Sequence, residues 1–164
     1  MNETRKRIIW FWLLAFLLVL IDQASKYWVK LALVPGSTVE VLPPVVYFTR
    51  VTNTGVAFGL LSRFTWLPIV FSLIIIVLAV VFSRRIAGLD RLFRLALAME
   101  IGGAAGNLID RAYYRYVVDF IDLRYWPVFN LADSAIVVGA CLLALGLFLD
   151  RGESPDDQGM GSGE

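Results

Sequence analysis

Long uncharged stretches separated by short charged ones dominate the chain. No charge falls between Arg7 and Asp22. That stretch alone is shorter than the roughly 20 residues needed to cross a bilayer, so the first helix is expected to continue through Lys26 toward Leu33, with Asp22 and Lys26 near the membrane boundary. The segment from Phe64 to Ser83 is uncharged and bounded by Arg63 and by Arg84 and Arg85, which predicts a second span. A third helix is expected from about Leu92 to Ile109, interrupted by Glu100, and a fourth from near Leu131, uncharged from Ser134 to Leu149. Between the first two spans, roughly Ser37 to Thr52 carries valines, threonines, Tyr47 and Phe48 around Pro43 and Pro44, a pattern of short strands. The fold class expected is therefore an all-α membrane protein of four transmembrane helices with a small outer β-sheet on the membrane surface.

A competing reading of the start is a cleaved signal peptide, because Arg5, Lys6 and Arg7 precede a short apolar core. Cleavage after Ala24 would put charged Asp22 where a small residue is wanted, so a retained helix is expected. Four spans place both termini on one side. Arg5, Lys6, Arg7, Arg84, Arg85, Arg91 and Arg94 assign that side to the cytoplasm by the positive-inside rule, and the longer loops outward. Residues 1–150 are expected to form one domain, and the polar residues 151–164 a disordered cytoplasmic tail.

Composition narrows the chemistry. Hydrophobic residues make up 59% of the chain, well above the roughly 45–50% of soluble domains, which fits lipid as solvent. The net charge of +1 and the lack of a basic stripe offer nothing to a nucleic acid. There is no histidine, so Ser-His and Cys-His nucleophiles and the His-based zinc motif are excluded. The one cysteine, Cys141, sits in an apolar run and is expected to be a packing residue. No metal or organic cofactor is expected.

Ionisable groups at membrane depth are costly, so Asp22, Glu100, Asp110, Asp119 and Asp133 need reasons. Asp22 stands four residues before Lys26, the favourable order for a helical ion pair. Ala98, Gly102 and Gly106 recur every four residues and build a smooth face for close helix contact. Asn107, Asp110 and Arg111 lie within one turn; Asp110 and Arg111 could neutralise each other, or Arg111 could grip a carbonyl or carboxylate. Asn130 and Asp133 read as a capping box with a shortened acid. Asp119 is flanked by Val117, Val118, Phe120 and Ile121 and has no local partner. If Asp119 and Asp133 converge, two carboxylates in a partly dry site would share a proton and could activate water, while proton relay, ion binding and helix capping remain alternatives.

Four stretches carry a resemblance: Asp22-Gln23 with Lys26; Asn53-Thr54-Gly55-Val56-Ala57-Phe58; Gly102 through Arg111; and Val117-Val118-Asp119-Phe120 followed by Phe129-Asn130-Leu131-Ala132-Asp133. In that order on a four-span background, they resemble the bacterial lipoprotein signal peptidase (signal peptidase II) family over nearly the whole chain. The resemblance implies an aspartyl endopeptidase of the bacterial inner membrane that cleaves prolipoprotein signal peptides before a diacylglyceryl-modified cysteine. It puts Asp119 and Asp133 at the catalytic positions. Asp22, Lys26, Asn53, Gly55, Asn107, Arg111 and Asn130 become residues that support the site or hold substrate, Arg111 foremost for the substrate backbone. Membrane lipid is an implied partner, and globomycin-type cyclic peptides are implied inhibitors. The connection from Asp119 to Asp133 is short for the family, and Phe120, Tyr125, Trp126 and the outer sheet are candidates for a cover over the site. The alternative from another class is a small proton or ion conduit lined by Asp22, Glu100, Asp119 and Asp133.

Overall fold

The structure is a computed structural model that describes residues 1–54 and 66–150. Helix α1 runs over Glu3–Ala32, its first turn capped by the Asn2 side chain accepting from the Thr4 N–H at 3.2 Å. At 1.5 Å per residue its 30 residues reach about 45 Å, longer than a hydrocarbon core, so part of the helix extends past the hydrocarbon. The strands β1 (Thr38–Leu42) and β2 (Val46–Asn53) follow as an antiparallel hairpin whose turn contains a cis Pro43–Pro44 bond. The remaining elements are α2 (Leu67–Val81), a short α3 (Ser83–Gly88), α4 (Arg91–Tyr114), β3 (Val117–Asp122) and α5 (Leu131–Asp150).

Three helices, α1, α4 and α5, are long and apolar enough to cross a membrane, and α2 is a shorter apolar helix. The expected four-helix framework with a small sheet is therefore present, with three differences. The third helix extends five residues beyond Ile109 to Tyr114, because no proline or glycine stops it before Arg115 adopts a left-handed φ of 67°. The basic connection Ser83–Gly88 is itself helical, tied to α1 where Arg7 donates to the Ala87 carbonyl at 3.4 Å. The segment around Asp119, for which no element is evident in the hydrophobic pattern, is the third strand.

That strand, Val-Val-Asp-Phe-Ile-Asp, shows no apolar–polar alternation because both its faces are covered. Val118 and Phe120 pack with Val29 and Leu33 of α1, and Phe48 of β2 stacks edge-on against Phe120 at 5.6 Å. Alternation along the strand turns Asp119 to the opposite face. The sheet order is β1-β2-β3, all antiparallel. Arg50 of β2 anchors it to the bundle by donating to the Lys30 and Leu33 carbonyls at 3.0 and 2.7 Å, which caps the C-terminal end of α1.

In the bundle, α4 packs between α1 and α5 through its small residues. A Cβ on Gly102 would lie 2.9 Å from the Ala15 carbonyl of α1, and one on Gly103 would collide with the Ala132 carbonyl of α5. The smooth face expected from Ala98, Gly102 and Gly106 is thus a real contact face, and Gly103 adds a second toward α5. Cys141, expected to be a packing residue, is exposed instead: it lies on a face of α5 not covered by other helices.

Candidate active site

The site lies at one end of the bundle, where the second half of α1, the second half of α4, the start of α5 and the sheet meet. The basic residues Arg84, Arg85, Arg91 and Arg94 lie at the other end of α4, with the N-terminus of α1 beside them.

Strand register brings in the first amide. Val51 pairs with Asp119 and Asn53 with Val117, so Asn53 and Asp119 are diagonal neighbours on one face of the β2–β3 ladder. Asn53 Nδ2 donates to Asp119 Oδ2 at 2.9 Å. The chain after β3 then folds back on itself. Phe129 and Ile121 form an isolated antiparallel bridge, with N–H···O distances of 3.1 Å from Phe129 to Ile121 and 2.8 Å in return. This fold-back delivers Asn130 to Asp119, whose Oδ1 accepts from Asn130 Nδ2 at 2.6 Å. The short connection is therefore a closed loop pinned to the strand it leaves.

Asn130 and Asp133 form the reciprocal capping box expected of their spacing. The Asp133 N–H donates to Asn130 Oδ1 at 2.9 Å, and the Asn130 N–H donates to Asp133 Oδ2 at 3.3 Å. Capping and site-building coincide here: one asparagine starts α5 and links the two carboxylates. Asn107 of α4 reaches the same place, its Nδ2 donating to Asp133 Oδ1 at 2.8 Å.

Beneath the pair lies a buried ionic cluster. Lys26, fully buried, directs its ammonium at Asp22 Oδ2 (2.7 Å), Asp110 Oδ2 (2.8 Å) and Asn107 Oδ1 (3.0 Å). The helical pair of Asp22 and Lys26 is thus present. The suggested pairing of Asp110 with Arg111 is not: Asp110 turns inward to Lys26, since adjacent helical residues point in different directions. Asp22 Oδ1 also accepts from the Ala132 N–H at 3.0 Å, so a carboxylate of α1 caps the first turn of α5. Gly106 makes the room, as a Cβ there would stand 2.5 Å from Asp22 Oδ2. Gln23 bonds the Gly106 carbonyl at 3.1 Å and lies 3.3 Å from Asp110 Oδ1.

The other expected site residues separate cleanly. Arg111 is half-buried and makes no hydrogen bond or salt bridge among the described residues, yet it lies within the fields of Asp133, Asp119 and Asp110. Gly55 lies outside the described residues. Glu100 is seven residues before Asn107 on α4, about 10 Å along the axis, and packs beside Gly139 of α5 away from the site. Two residues absent from the expected set, Asp110 and Gln23, belong to the cluster; their sequence signal was the buried acid one turn beyond Gly106 and the Asp-Gln pair itself.

Asp119 is 2% exposed. Burial lifts its carboxyl from the ordinary 3.8 to about 6, opposed by the Asn53 bond, supported by the Asp133 charge and opposed again by the Asn130 bond. At the outer edge Asp122 accepts from the Thr49 hydroxyl at 2.6 Å, which holds its carboxyl below the ordinary range. Arg124, 3.7 Å above the Tyr47 ring, clasps the loop to β2. A cavity of about 430 Å³ opens beside Asp133, walled by Leu123, Tyr125, Trp126, Phe129, Val137 and Val138. Tyr125 and Trp126 are exposed and line this cavity together with Asp133.

Two amide-bridged carboxylates at one end of a small apolar helical bundle, with an apolar cavity beside them, form an arrangement able to activate water. The family described as signal peptidase (SPase) II matches residues 14–149, and the chain belongs to it. The lipoprotein signal peptidase of Moorella thermoacetica is 44% identical over 143 residues, covering 87% of this chain and 95% of that protein. The lipoprotein signal peptidase of Pseudomonas syringae pv. tomato is 40% identical over 167 residues, covering 95% and 96%. A bacterial membrane enzyme solved by the in meso method at 2.3 Å superposes with a TM-score of 0.79 at 30% identity over 93% of each chain. A second, solved at 1.9 Å, gives 0.75 at 33% identity over 82% of this chain and 90% of its own. The chain is a bacterial membrane protease.

Proposed function

We propose that this protease removes signal peptides from diacylglyceryl-modified prolipoproteins, cutting before the lipidated cysteine, by an aspartic mechanism with Asp119 and Asp133 as the reacting pair. The observation that carries the reading is the Asn130 bridge, which joins both carboxylates to one residue while each carboxylate oxygen accepts a single N–H among the described residues. Each oxygen keeps a lone pair for water or substrate.

In this chemistry one carboxylate takes a proton from water as the water oxygen attacks the scissile carbonyl carbon. The other carboxyl, protonated, gives its proton to the carbonyl oxygen. The tetrahedral diol collapses as the C–N bond breaks: the first group passes its proton to the leaving nitrogen, and the second recovers one from the diol. One acid and one amine are released and the pair again holds one proton.

Arg111, a half-buried guanidinium without a hydrogen-bonded partner among the described residues, is suited to grip a substrate carbonyl. The apolar cavity beside Asp133 suits the apolar part of a substrate arriving sideways through lipid. The basic end of the bundle faces the cytoplasm with both termini, which puts the site near the outer face of the bacterial inner membrane. A conduit lined by Asp22, Glu100, Asp119 and Asp133 gains no support from the relatives, and Asp22 is locked to Lys26 while Glu100 lies apart. Incubating the purified protein with a diacylglyceryl-modified prolipoprotein and weighing the products tests the reading: a fragment beginning at the lipidated cysteine is expected, and intact substrate contradicts it.

A further inference from the structure

The loop from Leu123 to Phe129 is pinned to the sheet at both ends, and the two pins face different parts of the site. At its far end the bridge between Phe129 and Ile121 delivers Asn130 to Asp119. At its near end Asp122, the last residue of β3, holds the chain as it turns away: Oδ1 accepts the Arg124 N–H at 2.8 Å, and Oδ2 accepts the Thr49 hydroxyl at 2.6 Å. The Arg124 guanidinium lies 3.6 Å from Asp122 Oδ2 and 3.7 Å above the Tyr47 ring. Thr49 shares a second hydrogen bond, of 2.9 Å, with the Thr38 hydroxyl of β1, so a chain of polar contacts crosses all three strands and ends on the Arg124 backbone.

A bulge makes these meetings possible. Between the pairs Phe48–Ile121 and Val51–Asp119, β2 has two residues, Thr49 and Arg50, where β3 has Phe120 alone. A bulge re-aims side chains: Thr49 reaches Asp122, and Arg50 reaches the end of α1. Arg124 itself adopts a left-handed φ of 68°, unfavourable for a residue with a β-carbon, and the Asp122 bond to its N–H holds it there. Its neighbours Leu123, Tyr125 and Trp126 line the apolar cavity beside Asp133. Tyr125 is 78% exposed and Trp126 63%, so little packing of their own keeps this wall in place.

We propose, resting on the reading of this cavity as the seat of the apolar part of the substrate, that Arg124 and Tyr47 are positioning residues that set substrate affinity. Their stack, with Asp122 behind it, fixes the cavity wall before substrate arrives and takes no part in the chemistry. A wall ordered in advance need not be ordered by the substrate, whereas a loose one weakens binding and leaves the bound complex unchanged, which raises KM and spares kcat. The worth of a cation over a ring at an exposed position corresponds to a change of about 3- to 5-fold in KM.

Two measurements test this, and one needs no substrate. The chain has a single cysteine, Cys141, so Cys141→Ser with Tyr125→Cys carries one nitroxide, on the wall itself. In detergent the label is expected to be immobilised, and to gain a mobile component on Arg124→Gly or Tyr47→Leu but not on Tyr47→Phe, which keeps the ring. Glycine suits the left-handed backbone, so Arg124→Gly removes the stack without straining the loop, and Tyr47→Leu removes it from the strand side. In prolipoprotein cleavage by the unlabelled variants, Arg124→Gly and Tyr47→Leu are each expected to raise KM by about 3- to 5-fold with kcat unchanged. The double variant is expected to lose no more than either, because both changes break one contact, and Tyr47→Phe is expected to match wild type. Thermal unfolding identifies folded variants. A label no more mobile in Arg124→Gly than in its parent, or folded variants whose KM is unchanged or whose loss lies in kcat, overturns the proposal. A wild type that cleaves nothing overturns the peptidase reading instead, and the nitroxide then decides whether the stack holds the wall.

Discussion

Asn130 donates its side-chain N–H to Asp119 at 2.6 Å, and the same residue caps the helix that carries Asp133. The two duties can be separated by substitution. Serine is as good an N-cap as asparagine but too short to reach Asp119. Asn130→Ser is therefore expected to unfold within about 1 kcal/mol of wild type while losing ~10–100-fold in kcat/KM, the cost of a hydrogen bond to a charged group. A thermal melt and a cleavage assay on the same preparation check both halves; a stable, fully active variant would remove the bridge from the chemistry.

Arg111 makes no hydrogen bond or salt bridge among the described residues, so its removal should cost little stability. Arg111→Lys keeps the charge and loses the planar fork. Cleavage is expected to fall by about 10-fold, chiefly through KM, with the unfolding temperature unchanged. Loss of stability with unchanged KM would show that the guanidinium is structural.

Gly106 faces Asp22 with no room for a methyl group. Gly106→Ala should push α1 from α4 or displace Asp22 from Lys26 and the Ala132 N–H, at roughly 1–3 kcal/mol. Gly88→Ala, where nothing lies within 4 Å, is the control and should be near neutral. Thermal unfolding of the two variants in one detergent compares them directly.

The pair Asn130 and Asp133 and the ion pair of Asp22 with Lys26 were legible because they are local: spacings of three and four residues on a helix fix who meets whom. Helix existence was legible for the same reason, from runs of uncharged residues. Strand β3 was not, because a strand covered on both faces shows no alternation, and Asp119 looked partnerless because Asn53 and Asn130 reach it only through sheet register and a fold-back loop. The duty of Asp22 as cap on α5 depends on helix packing across 110 residues, which no local pattern encodes. Proximity in sequence allows Asp110 to pair with Arg111 but does not require it; the bundle interior gives it Lys26 instead.

Asp119 titrates near 6 in the folded protein against 3.8 ordinarily, so its contribution to stability is full below about 4 and is lost as pH rises through about 6. The change across that window is about 3 kcal/mol at two pH units. Asp119→Asn cannot titrate. Its unfolding temperature relative to wild type should therefore be highest near pH 7 and decline as pH falls toward 4; a difference independent of pH would mean that Asp119 is not held protonated by burial.

Cleavage of a diacylglyceryl-modified prolipoprotein by wild type, Asp119→Asn and Asp133→Asn, with products identified by mass, tests the central claim most directly. The account predicts release of the signal peptide immediately before the lipidated cysteine by wild type, and no product from either variant although both remain folded. Substantial cleavage by either folded variant would contradict the assignment of these two aspartates as the reacting pair.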